Sequence, residues 1–163
     1  MHIKFKNNKL IFDKYRIKCA IGKRGISSKK IEGDQKTPKG TYRLMYYFYR
    51  KDRIKKPFSK LKAFIIKKNQ GWCDDPRSLK YNQLIKRPYK YKHEKLYRKD
   101  NIYDILIVLN YNINPIIKNK GSAIFLHIAK KNFSPTAGCL AISKKFIKIL
   151  IEKINNKTKL YIY

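Results

Sequence analysis

Cys139 and His127 are the side chains in this sequence whose types and spacing best suit covalent catalysis. His127 ends the apolar run Ile124-Phe125-Leu126, and Cys139 closes the small-residue turn Thr136-Ala137-Gly138. A free thiol with a pKa of about 8.5 is mostly protonated at neutral pH. A neighbouring imidazole can take its proton or hold the thiolate as an ion pair. Gly138 keeps the approach to sulfur free of a side chain, and the N–H groups of Gly138 and Cys139 are expected to face a developing oxyanion. An activated Cys139 is expected to alkylate at lower pH than Cys19 or Cys73. The pair alone is not decisive. A cysteine after glycine in an apolar region is more often a small buried hydrophobe, and a histidine on an apolar run is commonly a core residue.

The elements that must position these groups are mostly strands. Residues 3–21 alternate apolar and polar, with a turn at Asn7-Asn8, and Cys19 falls on the apolar face. Residues 41–50 form an aromatic-rich strand, 63–67 a short one, and 103–112 a near-continuous apolar run that reads as a central strand. Ser143 is placed to cap a helix over 144–155, in which Phe146, Ile147, Leu150, Ile151 and Ile154 share one face. Residues 158–163 close the chain as a final strand. With no repeats and no linker, the pattern predicts one domain over 1–163, a β-rich α+β sheet or sandwich with one well-defined helix near the C-terminus.

Composition narrows the class. A chain of 163 residues with 43% hydrophobic content can bury a core. No apolar run approaches the roughly 20 residues of a membrane helix. The N-terminus alternates and lacks the apolar centre of a secretory leader, so export by that route is not visible and a cytoplasmic location stays open. Three cysteines with no CxxC pair argue against a disulfide framework or a zinc site, and no metal ligand set is expected. The net charge of +31 attracts polyanions. The lysines are spread along the chain, which reads as a solvated background with weak non-specific attraction.

Against that background the acids stand out. Glu32 and Asp34 lie among glycine turns and are expected to pair with Arg24 or cap backbone N–H groups. Asp74 and Asp75 precede Pro76, beside Trp72, and can cap a turn, bind a cation or receive an amine. The basic, aromatic stretch 77–100 contains His93 beside Glu94. It could stack bases and touch phosphates, or line a groove for another extended polar ligand.

Three segments together resemble the YkuD-type L,D-transpeptidase catalytic domain, thiol enzymes that remodel peptidoglycan stem peptides. Gly33-Asp34-Gln35-Lys36-Thr37-Pro38-Lys39-Gly40-Thr41-Tyr42 is similar to the family's Thr-Pro-x-Gly-x-aromatic lead into a core strand. Ile124 to His127 resembles the strand bearing its base, and Thr136 to Cys139 its Ser-His-Gly-Cys nucleophile turn. Residues 32–34, 71–76 and 103–104 look like a proteobacterial branch. The chain departs from the pattern at Ala137, where histidine is usual, at Ala141, where arginine often follows the cysteine, and at Ile128, where glycine or serine is common. The loop between His127 and Cys139 is also shorter.

The resemblance implies a cysteine acyltransferase without cofactor. Cys139, His127 and Gly138 would be catalytic, and Trp72, Asp74, Asp75, His93, Glu94 and Thr136 would bind substrate. Its partners would be donor and acceptor stem peptides, its location the periplasm or cell envelope, and its state a monomer. The alternatives are a non-catalytic, wall-binding relic of the fold and a basic nucleic-acid-binding module.

Overall fold

A computed structural model describes residues 1–28 and 30–163. The chain opens with a meander of β1 (Ile3–Lys6), β2 (Lys9–Phe12) and β3 (Tyr15–Lys18). Asn7, Asn8 and Asp13 take the left-handed backbone that their tight turns require. The short strands β4 (Ile26–Ser27) and β5 (Thr37–Pro38) pair with each other ahead of the long β6 (Gly40–Tyr49). Then follow β7 (Lys62–Ile65), β8 (Gln70–Cys73), β9 (Leu84–Lys86), β10 (His93–Lys95), β11 (Ile105–Leu109), β12 (Phe125–Ile128), β13 (Leu140–Ile142), helix α1 (Lys144–Lys153) and β14 (Lys159–Ile162).

One nine-stranded sheet carries the fold in the order β13-β12-β11-β6-β14-β1-β2-β3, with β7 alongside β6. Ala20, just past β3, bridges to Ala141 in β13, so the two edges of the sheet nearly meet. The C-terminal β14 is inserted between β6 and β1 in the middle of the sheet.

Alternation along the strands sorts side chains to two faces. Ile3, Phe5, Leu10, Leu126, Leu140 and Ile142 turn to the face that receives α1, where Ile147, Leu150 and Ile151 are fully buried. Each such side chain contributes on the order of 1.5–3 kcal/mol. Ser143 occupies the N-cap position but forms no side-chain cap bond, so packing rather than capping holds the start of α1. At its other end Lys153 Nζ lies 3.0 Å from Asp13, tying the helix to the β2–β3 turn.

Phe48, Trp72, Leu106, Val108, Phe125 and Cys139 belong to a second cluster. The β10-β8-β9 sheet contributes Trp72 to it, and a cleft opens beside this cluster.

Candidate active site

His127 is paired with Ala141 across the parallel β12–β13 ladder. Cys139 stands two residues before Ala141, so period-two alternation places its sulfur on the same sheet face as the imidazole, about one two-residue step along. Both residues line a cleft of about 430 Å³.

The histidine is oriented from two sides. Its Nδ1–H donates to the Ile128 carbonyl at 2.9 Å, which leaves Nε2 as the basic nitrogen. Tyr103 packs edge-on against the ring, with centroids 5.2 Å apart. The Tyr103 hydroxyl in turn donates to Glu94 Oε1 at 2.5 Å.

The thiol is held as well. Cys139 Sγ–H donates to the Ala123 carbonyl at 3.0 Å, and the sulfur accepts the Phe125 N–H at 3.3 Å. Ala123 has φ +52°, unusual for a residue with a Cβ. Its N–H is anchored to Asn82 Oδ1 at 3.0 Å, and the same oxygen accepts Trp72 Nε1–H at 2.9 Å.

Burial sets the resting protonation. It pushes the Cys139 thiol up to about 12, with the nearby Glu94 charge adding to the effect. It pulls His127 down to about 4, against a partial offset from the Ile128 hydrogen bond. The resting pair is a neutral thiol and a neutral imidazole rather than an ion pair. Burial pushes Cys19 to about 12 as well, so the two thiols have similar resting acidity.

The nucleophile turn is pinned from the β4–β5 loop. Gly138 has φ +141°, and a Cβ there would meet the Lys36 carbonyl at 2.9 Å, so only glycine fits. Thr37 Oγ1–H donates to the Gly138 carbonyl at 2.8 Å and accepts the Gly22 N–H at 2.9 Å. Thr136 Oγ1–H donates to the Cys139 carbonyl at 2.6 Å and accepts the Gly138 N–H at 3.1 Å. The Gly138 N–H expected to face an oxyanion is therefore already engaged. The Cys139 N–H has no acceptor among the described residues.

The other sequence candidates divide. Asp74, Glu94 and Thr136 line the cleft. Asp74 Oδ1 is buried without a hydrogen-bond partner among the described residues, while Oδ2 lies 3.4 Å from Lys92 Nζ. Burial raises the Glu94 carboxyl above its ordinary value.

Trp72, Asp75 and His93 lie outside the cleft lining. Trp72 is core, edge-on to Phe125. Asp75 caps the Arg77 N–H and grips its guanidinium, which holds the carboxyl well below the usual carboxylate range. His93 donates to the Tyr91 carbonyl and accepts from Arg87.

In the β4–β5 loop, Asp34 caps the Ile31 and Lys36 N–H groups as expected, but its cation is Lys30 rather than Arg24. Glu32 accepts the Tyr81 hydroxyl.

Sequence reasoning did not single out Lys30, Asn82 or Tyr103 as site residues. Lys30 is one cation in a chain with 41 lysines and arginines, and only its i,i+4 spacing to Asp34 marks it. Nothing local distinguishes Asn82, whose partners are remote apart from Trp72.

A cysteine and a histidine on one face of a strand pair, at one cleft, are the groups that thiol acyl transfer needs. The L,D-transpeptidase catalytic domain (YkuD) sequence model matches residues 1–162, and the chain belongs to this family of enzymes acting on peptidoglycan stem peptides. No curated protein sequence matches the chain. Among the described residues no group of His, Cys, Asp and Glu is arranged to hold a metal ion. No helix is long and apolar enough to cross a membrane.

Proposed function

We propose that this chain is a peptidoglycan-remodelling cysteine acyltransferase, with Cys139 as nucleophile and His127 as general base and acid. The observation that carries this reading is the shared sheet face of the two groups at one cleft, with Nε2 left as the basic nitrogen.

In the resting site a complete proton transfer from a thiol at about 12 to an imidazole at about 4 is uphill. The proton therefore moves as sulfur attacks, not before. Cys139 Sγ attacks the carbonyl that follows the L-centre of diaminopimelate in a donor stem. The thiol proton passes to His127 and then to the leaving amine, and a thioester remains. The side-chain amine of a second stem attacks that thioester, giving a cross-link, or water attacks it, giving hydrolysis.

Asp74 and Glu94 are the carboxylates placed to receive an ammonium group of such a substrate, since both line the cleft beside the sulfur in an otherwise positive protein. Thr136 positions the nucleophile turn through its two hydrogen bonds.

A second reading, a wall-binding relic without turnover, draws support from the neutral, hydrogen-bonded thiol and from Ala137 and Ala141, both of which line the cleft. Incubation with diaminopimelate-containing muropeptides of several donor lengths separates the two. The enzyme reading expects cross-linked or trimmed products by mass spectrometry, lost in Cys139→Ala. Absence of product from the wild-type protein at every donor length overturns it.

A further inference from the structure

Lys30 is turned inward. Its side chain is only 5% exposed, in a protein whose lysines mostly face solvent. The ammonium donates to Asp34 Oδ1 at 2.5 Å and to the Lys36 carbonyl at 2.7 Å. An ammonium has three N–H donors, so one is left over.

Gly121 makes room for this side chain, and Gly138 lies in ordinary contact range of it. A Cβ on Gly121 would lie 3.0 Å from Lys30 Cε, and a Cβ on Gly138 would lie 3.7 Å from Nζ. The Lys36 carbonyl that accepts from Nζ is the same one that would meet a Gly138 Cβ. The Lys30 ammonium thus sits against the nucleophile turn, and Lys30, Gly138 and Cys139 all line the cleft. Its charge reaches the sulfur, where it favours the thiolate against burial.

A tetrahedral intermediate needs donors aimed at its oxyanion. The backbone of the turn supplies the Cys139 N–H, whereas the Gly138 N–H is bonded to Thr136. We propose that Lys30 is a catalytic residue whose ammonium is the second donor, beside the Cys139 N–H, to the oxyanion formed when Cys139 attacks a carbonyl. This rests on Cys139 being the nucleophile, but not on the identity of the acyl donor. Lys30 reaches the turn from the β4–β5 loop, a different part of the chain from the cysteine. Asp34 holds the ammonium in place.

Two reactions of Cys139 test the proposal, each followed by mass spectrometry of the peptide that carries Cys139. In acetylation by p-nitrophenyl acetate the sulfur adds to the carbonyl, an oxyanion forms, His127 accepts the thiol proton, and p-nitrophenolate leaves. Alkylation by iodoacetamide displaces iodide and builds no oxyanion. In Lys30→Met acetylation is expected to fall about 10²-fold, the cost of removing one oxyanion donor, while alkylation falls by less than about tenfold. Equal falls in both rates overturn the proposal, because a lysine that only holds the loop or favours the thiolate acts on both reactions alike. A wild-type Cys139 that alkylates but takes no acetyl group overturns it too.

Should Lys30→Met not fold, Lys30→Gln is read by the same ratio. It keeps neutral donors for Asp34 and the Lys36 carbonyl, and a drop of at least about tenfold in acetylation relative to alkylation supports the proposal, whereas an unchanged ratio overturns it. Neither reagent is a stem peptide. A lysine-dependent ratio with no muropeptide turnover therefore counts against the substrate reading alone.

Discussion

Thr37 donates its hydroxyl to the Gly138 carbonyl at 2.8 Å, joining residues 101 positions apart. The same oxygen accepts the Gly22 N–H. One threonine thereby fastens β5 and the Gly22 backbone to the turn that presents the nucleophile, and the Thr-Pro segment supports the site from outside the cleft lining.

Thr37→Val keeps the shape and removes both bonds, leaving a buried carbonyl and a buried N–H unsatisfied. The expected cost is about 2–6 kcal/mol, since each of the two orphaned buried groups costs roughly 1–3 kcal/mol. Chemical denaturation measures it. Thr37→Ser retains the hydroxyl and is expected to lose less than half as much.

Gly138→Ala tests the turn itself. The residue would have to hold φ +141° with its Cβ 2.9 Å from the Lys36 carbonyl. A strained backbone of this kind costs on the order of 1–3 kcal/mol. A lower Tm is expected, together with loss of Cys139 acylation out of proportion to the fraction unfolded at the assay temperature.

The pH dependence follows from the neutral pair. His127 is held at about 4 against an ordinary 6.5, so the stability linked to it is fully present above about 6.5 and is lost as pH falls through about 4. Cys139 and Cys19 are raised from 9.0 to about 12, so their share is present below about 9 and is lost as pH rises through about 12. Urea midpoints across this range are expected to decline at both ends. The base must be unprotonated to act, so kcat/KM is expected to keep its acid limb near pH 4 instead of near 6.5.

Much of this was legible before any coordinates. The alternation in residues 3–21 holds the meander of β1 to β3, and the apolar run 103–112 holds β11, a central strand buried at every position. The cysteine and the histidine marked in the sequence line one cleft, and the Thr-Pro-Lys-Gly segment bonds to the turn beside it. Other features depended on contacts that no local pattern encodes. The central place of β14 arises from parallel pairing between the two ends of the chain. Trp72, Asp75 and His93 resemble Asp74 and Glu94 in sequence setting, yet none joins the cleft lining: Asp75 and His93 alternate with Asp74 and Glu94 and are gripped by Arg77 and Arg87, while Trp72, paired with Glu94 on the same face, is buried in the core against Phe125. Lys30 was hidden by the abundance of its own residue type.

Glu94→Gln and Asp74→Asn probe the recognition of an ammonium group. Removing either charge is expected to raise KM for an amine-bearing acceptor about tenfold, which corresponds to about 1.4 kcal/mol. Hydrolysis of the thioester should change less, because water carries no charge to recognise. Steady-state rates of cross-linking against acceptor concentration, set beside hydrolysis of the same donor without acceptor, provide the comparison.

The most direct measurement is the intact mass of the protein quenched in acid during reaction with a diaminopimelate-containing stem peptide. The account predicts an acyl adduct on Cys139, absent from Cys139→Ala and strongly slowed in His127→Gln. A wild-type protein that turns over the stem peptide with no adduct on Cys139, or a Cys139→Ala variant that turns it over equally well, would contradict it.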